Sequence, residues 1–135
     1  MNRANAKDLE GRTDQIVTVY YQDDKPYTGV VYEMRQGRID LEYEVVNGVK
    51  QGVETEFYPD GKIQSVSQYA GNLLDGPLIN YYENGVVEEK ARFEQGVCIR
   101  STSYDEAGRI TEEYTISEGS PEYPWLTYLR RQSNA

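Results

Sequence analysis

The chain has 135 residues, a formal charge of -9 and no histidine. The charge has the wrong sign for a nucleic-acid or anionic-membrane binder, whose phosphate contacts come from Lys and Arg. The missing His excludes a Ser-His-Asp triad, a Cys-His dyad and any His-containing metal site, and the single cysteine, Cys98, excludes an intrachain disulfide or a cysteine metal cluster.

Residues 1–14 are polar and read as a flexible N-terminal segment. They hold no apolar run of the roughly 7–15 residues a secretory signal needs. No stretch reaches the roughly 20 apolar residues of a membrane-spanning helix. A cytoplasmic location is the expectation. Thirteen tyrosines raise the aromatic share to 12%, which argues for a folded chain.

From residue 15 onward the apolar residues alternate. Ile39, Leu41, Tyr43 and Val45 point one way and Asp40, Glu42 and Glu44 the other. Period two is the strand signature. Strands are expected near 16–21, 27–34, 38–46, 53–58, 62–69, 77–82, 86–94, 98–104 and 109–117. Asp60-Gly61 and Asn84-Gly85 are hairpin signals, because Gly tolerates the positive φ such turns need.

Glycines recur with a fixed period. Gly37, Gly61, Gly85 and Gly108 form one series and Gly29, Gly52 and Gly76 another, each spaced by 23 or 24 residues. The units Gly52–Asp75 and Gly76–Ile99 align on the opening Gly, an aromatic pair, a turn and a later aromatic, Tyr69 or Phe93. The next unit starts at Arg100, lacks the Gly, and reads as a degenerate terminal copy. The predicted fold is all-β, an elongated antiparallel meander of repeated hairpins in a single layer. Residues 15–117 form the repeat domain and 118–135 a short helical cap and tail. Ser120 and Pro121 suit a helix start, and Arg130 and Arg131 a helix end. Trp125, Leu126 and Leu129 are expected to cover the open edge of the last strand, which otherwise invites aggregation.

The unit G-x4-(F/Y)-Y-x-(N/D)-G-(K/V)-(I/V)-x5-(Y/F)-x-x-G resembles the MORN-variant repeat of bacterial proteins. The lead-in Asp24–Glu33 looks like the entry to a first repeat. The resemblance covers roughly residues 15–117 and departs from the pattern at Arg100 and at the shortened turn before Gly37. It implies a protein-binding inhibitor, since members of that family are frequently described as antitoxins or as immunity proteins paired with polymorphic toxins. It brings no catalytic motif, cofactor or metal.

The residues themselves offer little enzyme chemistry. Glu88-Glu89 and Glu112-Glu113 sit at adjacent strand positions and point to opposite faces, so neither reads as an acid/base pair. Cys98, in Val97-Cys98-Ile99, reads as a structural thiol without an activating neighbour. A non-enzymatic, protein-binding role is expected, with a basic partner because a net field of one sign steers its opposite. The expected partner-binding face holds Asp40, Glu42, Glu44, Glu54, Glu56, Tyr58 and Tyr82. The two tyrosines also fit a purely structural aromatic ladder, since cross-strand aromatic pairs stabilise sheets. The partner expected is a cognate toxin with a basic cleft. The alternative is a scaffold or surface-associated module built of the same repeats.

Overall fold

Gly and Asn punctuate the chain so closely that it can do little but turn back on itself. In this computed structural model, which describes residues 1–14 and 17–133, Gln36-Gly37, Asn47-Gly48, Gly71-Asn72 and Gln95-Gly96 all have positive φ at both positions. That is the backbone of a two-residue hairpin turn matched to the right-handed twist of the flanking strands. The strands so joined are β5 (Gly29–Arg35), β6 (Arg38–Val46), β7 (Val49–Phe57), β8 (Ile63–Ala70), β9 (Leu73–Tyr81), β10 (Val87–Glu94), β11 (Val97–Tyr104) and β12 (Ile110–Thr115). They form one antiparallel meander in sequence order. The all-β, hairpin-repeat architecture read from the sequence is the architecture observed.

The remaining hairpins close through wider turns. Tyr58, Tyr82 and Asp105 each donate their N–H to a carbonyl four residues on, Lys62, Val86 and Arg109, and each accepts from the intervening Gly61, Gly85 or Gly108. Just inside each turn at this end the ladder slips by one residue. Leu41 and Ile39, Ser65 and Ile63, Glu89 and Val87, and Glu112 and Ile110 flank the four slips. The slips therefore recur at the sequence period. Bulges strengthen local twist, so a bulge in every repeat gives every repeat the same twist.

Gly52 and Gly76 are not turn residues. They lie within β7 and β9, at φ 109° and 118°, beside register slips on the opposite end of the sheet. At the corresponding point of the next unit Arg100 keeps regular pairing with Arg92 and Thr115, and the slip falls instead between Arg92 and Phe93. The lost glycine thus marks a change of bulge, not a break in the sheet.

Residues 1–14 are not the flexible segment expected. β1 (Arg3–Asn5) adds to the free edge of β5 in parallel, a 3-10 turn (Ala6–Asp8) follows, and β2 (Glu10–Asp14) pairs with β3 (Val17–Gln22). The first expected strand, 16–21, is β3; its residue 16 lies outside the described residues, as do residues 134–135 of the expected tail. β4 (Lys25–Pro26) completes a three-stranded second sheet. Composition misleads here because β1 needs only its backbone to pair, while Ala4 and Leu9 supply the contacts that fix it.

The second sheet meets the first at Gly48. Gly48 donates to the Tyr27 carbonyl at 2.6 Å and accepts from Tyr20 N–H at 2.9 Å. A Cβ there would collide with the Val19 side chain and stand 2.8 Å from the Tyr20 carbonyl oxygen, so only Gly allows the approach. The core formed beneath holds Ala4, Tyr27, Val31, Tyr43 and Val45, with Leu9, Tyr20 and Leu41 packed against it. Burial pushes the Tyr43 phenol well above its usual range.

At the other end α1 (Tyr123–Ser133) buries Leu126 completely. Arg130 makes a two-pronged pair with Glu94, at 2.6 and 3.1 Å, and Gln95 donates to the Ser133 hydroxyl. The helix therefore runs back to the β10–β11 turn instead of covering the last strand. Leu126 is buried as expected, but not over that edge; Trp125 is 56% exposed and stacks on Tyr128, and Leu129 is only half-buried. The cause is the turn at Ser117–Ser120, where Ser117 N–H bonds the Ser120 hydroxyl and the chain reverses before the helix starts. Among the described residues β12 is left with one neighbour, β11.

Candidate functional site

Directly opposed residues share a sheet face, so the register assigns the faces. Val31, Tyr43 and Glu54 are opposed in sequence across β5–β7, and Tyr32, Glu42 and Thr55 across the same strands. The face of Tyr43 is here called the front. It is covered by the second sheet at one end.

The expected acidic face therefore divides. Glu42 and Glu44 are on the back; Glu54 and Glu56 are on the front. Alternation fixes parity within a strand, but the turn at Asn47-Gly48 and the slip beside Gly52 set parity between strands. Asp40 sits at a slip and pairs with Arg38, and Glu42 pairs with Arg3 at 2.9 Å. Glu54 is only 15% exposed and holds Lys50 at 2.6 Å. That ammonium lies over the rings of Tyr43 and Tyr69, at 4.5 and 4.8 Å. Burial, with Glu54 nearby, pushes the Tyr69 phenol up to about 12. Glu54 thus serves the fold by neutralising a half-buried lysine.

Tyr58 and Tyr82 lie at the mouths of the wide turns. The Tyr58 hydroxyl donates to the Tyr81 carbonyl, and the Tyr82 hydroxyl to the Tyr104 carbonyl at 2.8 Å, each one repeat further on. Their phenols latch successive turns together. At the third copy Asp105 replaces the tyrosine and accepts from Ala107 and Arg109 of its own turn, so the latch ends. Backbone N–H donation from Arg109 holds the Asp105 carboxyl below its usual range. Cys98 is half-buried, donates to the Arg100 carbonyl at 3.5 Å, and has its thiol pushed up by burial.

Beyond the second sheet, one unbroken cross-strand row runs over six strands of the front: Glu56, Ser65, Asn80, Glu89, Ser103, Glu112. Only Glu56 belongs to the set expected from sequence. Glu89 and Glu112 enter through register, which alternation alone does not give. Asn80 reaches Glu89 at 3.5 Å. Among the described residues no Lys or Arg nitrogen lies within 4.0 Å of the three carboxylates, although eight ion pairs form elsewhere. At about 4.8 Å per strand, Glu56 and Glu89 stand roughly 14 Å apart and Glu89 and Glu112 roughly 10 Å. A cavity of about 740 Å³ lies between Phe93, Cys98 and Tyr114 of the sheet and Pro121 and Trp125 at the start of the helix, and none of the row's residues lines it. No helix among the described residues is long and apolar enough to cross a membrane.

Residues 50–70 and 74–95 match the MORN repeat variant, and these two segments are the β7–β8 and β9–β10 hairpins. The fold and the two matched repeats define a repeat-built interaction module. No curated protein matches the chain. Among solved structures it is similar to a point mutant of S. aureus TarM in complex with Fondaparinux, alpha-GlcNAc-glycerol and UDP, with TM-score 0.44 and 10% identity over 82% of this chain and 20% of that one. A crystal structure of TarM gives 0.42 and 12% over the same shares. The chain spans about a fifth of either.

Proposed function

We propose that this chain is an immunity protein or antitoxin that neutralises a cognate bacterial toxin in the cytoplasm by direct binding, laying its acidic front face over a basic cleft. The observation that carries the reading is the row Glu56–Glu89–Glu112, three carboxylates aligned on a regular sheet with no cation of their own. Their separations match or exceed the screening length of about 8 Å at physiological salt, so their mutual repulsion costs little. Each is free to pair with a Lys or Arg of the partner, in the way a toxin cleft pairs with substrate phosphates. Complementary charge raises the association rate and fixes register more than it raises raw affinity.

The test is coexpression with the product of the adjacent gene, co-purification of the pair, and surface plasmon resonance. Association should slow as salt rises. Glu56→Lys with Glu89→Lys should slow it by about an order of magnitude at low salt and leave dissociation nearly unchanged. A pair that fails to co-purify overturns the reading. So does association that ignores both salt and the double substitution, which would leave a scaffold role as the better account.

A further inference from the structure

We infer that the outer edge of β12 is a docking site for an extended, basic strand of the partner protein, which adds to the sheet as its tenth strand. The inference deepens the reading above and rests on its premise of a basic protein partner. The meander has two edges. One is closed by β1, which pairs in parallel with β5 over three residues. The other is β12, whose only neighbour among the described residues is β11. Natural sheets blunt such edges with charged side chains (Lys above all), Pro, bulges, very short strands or a covering element. β12 is bulged only at its start, between Ile110 and Glu112, and its charges are Glu112 and Glu113, which repel an acidic strand and attract a basic one. β12 is six residues long, holds neither Lys nor Pro, and the helix that could cover it runs back to Glu94 and Gln95 instead. Ile110 is 57% exposed, and Thr111, Glu112, Glu113 and Thr115 are exposed.

The free backbone groups can be named. Ile116 turns its N–H inward to the Ile99 carbonyl at 2.9 Å. Inward and outward groups alternate along an antiparallel strand, so the N–H and C=O of Thr115 and Glu113 point away from β11. An added strand would bond to these two residues, the main-chain recognition of strand addition. Side chains then set which strand is accepted. Glu112 shares the front with Ser103, and Glu113 the back with Thr102, so the edge presents one carboxylate on each face.

That arrangement selects the occupant. A second copy pairing antiparallel about a twofold axis near the middle of β12 would set Glu113 opposite its own copy, or Glu112 opposite its own, and like charges directly opposed are destabilising. A strand with adjacent Lys or Arg residues meets both carboxylates, one from each face. Glu112 is also the last member of the front-face row, so one partner could occupy the row and the edge together.

The probe is the acetylated, amidated peptide Thr-Val-Lys-Lys-Val-Thr, whose palindromic sequence offers the lysine pair to Glu112 and Glu113 in either strand direction. The control is Thr-Val-Glu-Glu-Val-Thr. With the full chain, amide hydrogen exchange should show protection at Glu113 and Thr115 with the lysine peptide only. Thr115→Pro removes an outward N–H, a substitution that edge strands accept, and keeps both carboxylates. It should abolish that protection while thermal melting stays within a few degrees of the parent. Glu112→Lys with Glu113→Lys should weaken the lysine peptide about tenfold and transfer preference to the glutamate peptide. Protection elsewhere, no protection, or equal binding to Thr115→Pro overturns the inference. So does a parent chain that is a dimer in light scattering and a monomer as Thr115→Pro, which would make a second copy the occupant. A co-purified toxin bound equally by Thr115→Pro removes the edge and leaves the acidic front face standing. Failure of the pair to form at all removes the reading beneath both.

Discussion

The two halves of the nine-stranded sheet are held by different forces. Around β5–β7 a second sheet lies on the front, and all five members of the buried core are there, between Ala4 and Val45. From β8 to β12 the sheet is a single layer; its buried apolar residues are Ala91 and Val97, and in the helix that follows Leu126 is buried. The first half folds by burying apolar area, the usual dominant force. The second depends on repetition, in which each hairpin is marginal alone and gains stability from stacked neighbours. The lesson is that identical strand geometry can carry unequal stability, and that the half with less buried apolar surface is the one with open faces and an open edge.

The comparison breaks hardest at its most buried ring. Tyr43→Ala should cost about 3–5 kcal/mol, the usual loss for a large aromatic core residue. It removes the ring beneath Lys50 and beside Tyr20, whose centroid lies 5.7 Å away. Chemical denaturation should show the midpoint falling for the whole sheet, because the repeats dock on β7. A loss confined to β2–β4 would show that the repeats stand alone. Gly48→Ala should act in the same region and by a different route, forcing the two sheets apart at positive φ and at contact distance from Tyr20. Hydrogen exchange should then rise first in β2–β4.

Leu126→Ala tests the far end. Its side chain is fully buried, so the global cost could reach about 2–5 kcal/mol if the helix and sheet unfold together. Because the side-chain bonds that tie α1 to the sheet, Arg130–Glu94 and Gln95–Ser133, lie at the β10–β11 turn, far from β5–β7, the expected result is local: helix amides lose protection while β5–β7 amides do not. Equal loss in both halves would mean that the sheet is one cooperative unit.

How far the sequence foretold this follows the same division. The repeats were legible because turn residues, alternation and the period all report local backbone geometry. Eight of the nine expected strands align with β5–β12, and the bulges recur where the period places them. The N-terminal layer was not legible. β1 pairs through its backbone and β4 is two residues long, so neither leaves a pattern in side chains. Of the seven expected site residues, Glu56 alone joins the open row. Glu54 is committed to Lys50, Glu42 to Arg3, and the Tyr58 and Tyr82 hydroxyls to neighbouring turns; these are long-range partners, 22 to 39 residues away for Tyr82, Tyr58 and Glu42. Periodicity says which way a side chain leans, not what meets it there.

The latch sharpens the comparison from within the repeats. Tyr58→Phe and Tyr82→Phe each leave the ring in place and strand one acceptor carbonyl, Tyr81 or Tyr104. Both should lower the melting temperature, and by less than Tyr43→Ala. The double variant should raise exchange in β9–β11 more than the sum of the single ones, because Tyr58 ties β7–β8 to the hairpin that Tyr82 ties onward. Strict additivity would mean the latches act as separate bonds rather than as a ladder.

The smallest effect is expected at the Glu94–Arg130 pair, and pH reaches it without a substitution. The Glu94 carboxyl sits below its usual range, first because Arg130 hydrogen-bonds it and then because Arg130 and Arg92 are positive. A carboxyl lowered by folding contributes stability above its unfolded value of about 4.3, and that contribution is lost as pH falls through the lower folded value. Helix docking should therefore be constant through neutral pH and weaken only in the acid range below the ordinary carboxylate value. Trp125, the one tryptophan, stacks on Tyr128 in the same helix and reports the change by fluorescence. Asp105 is lowered as well and titrates in the same direction, so acid loosening of its turn must be told apart from loosening of the helix. Glu94→Gln does this: it should give at neutral pH the fluorescence that the parent reaches only in acid, and should flatten the titration. If the substituted chain titrates as the parent does, the helix is held by Leu126 and the Gln95–Ser133 contact, and the ion pair is ornamental.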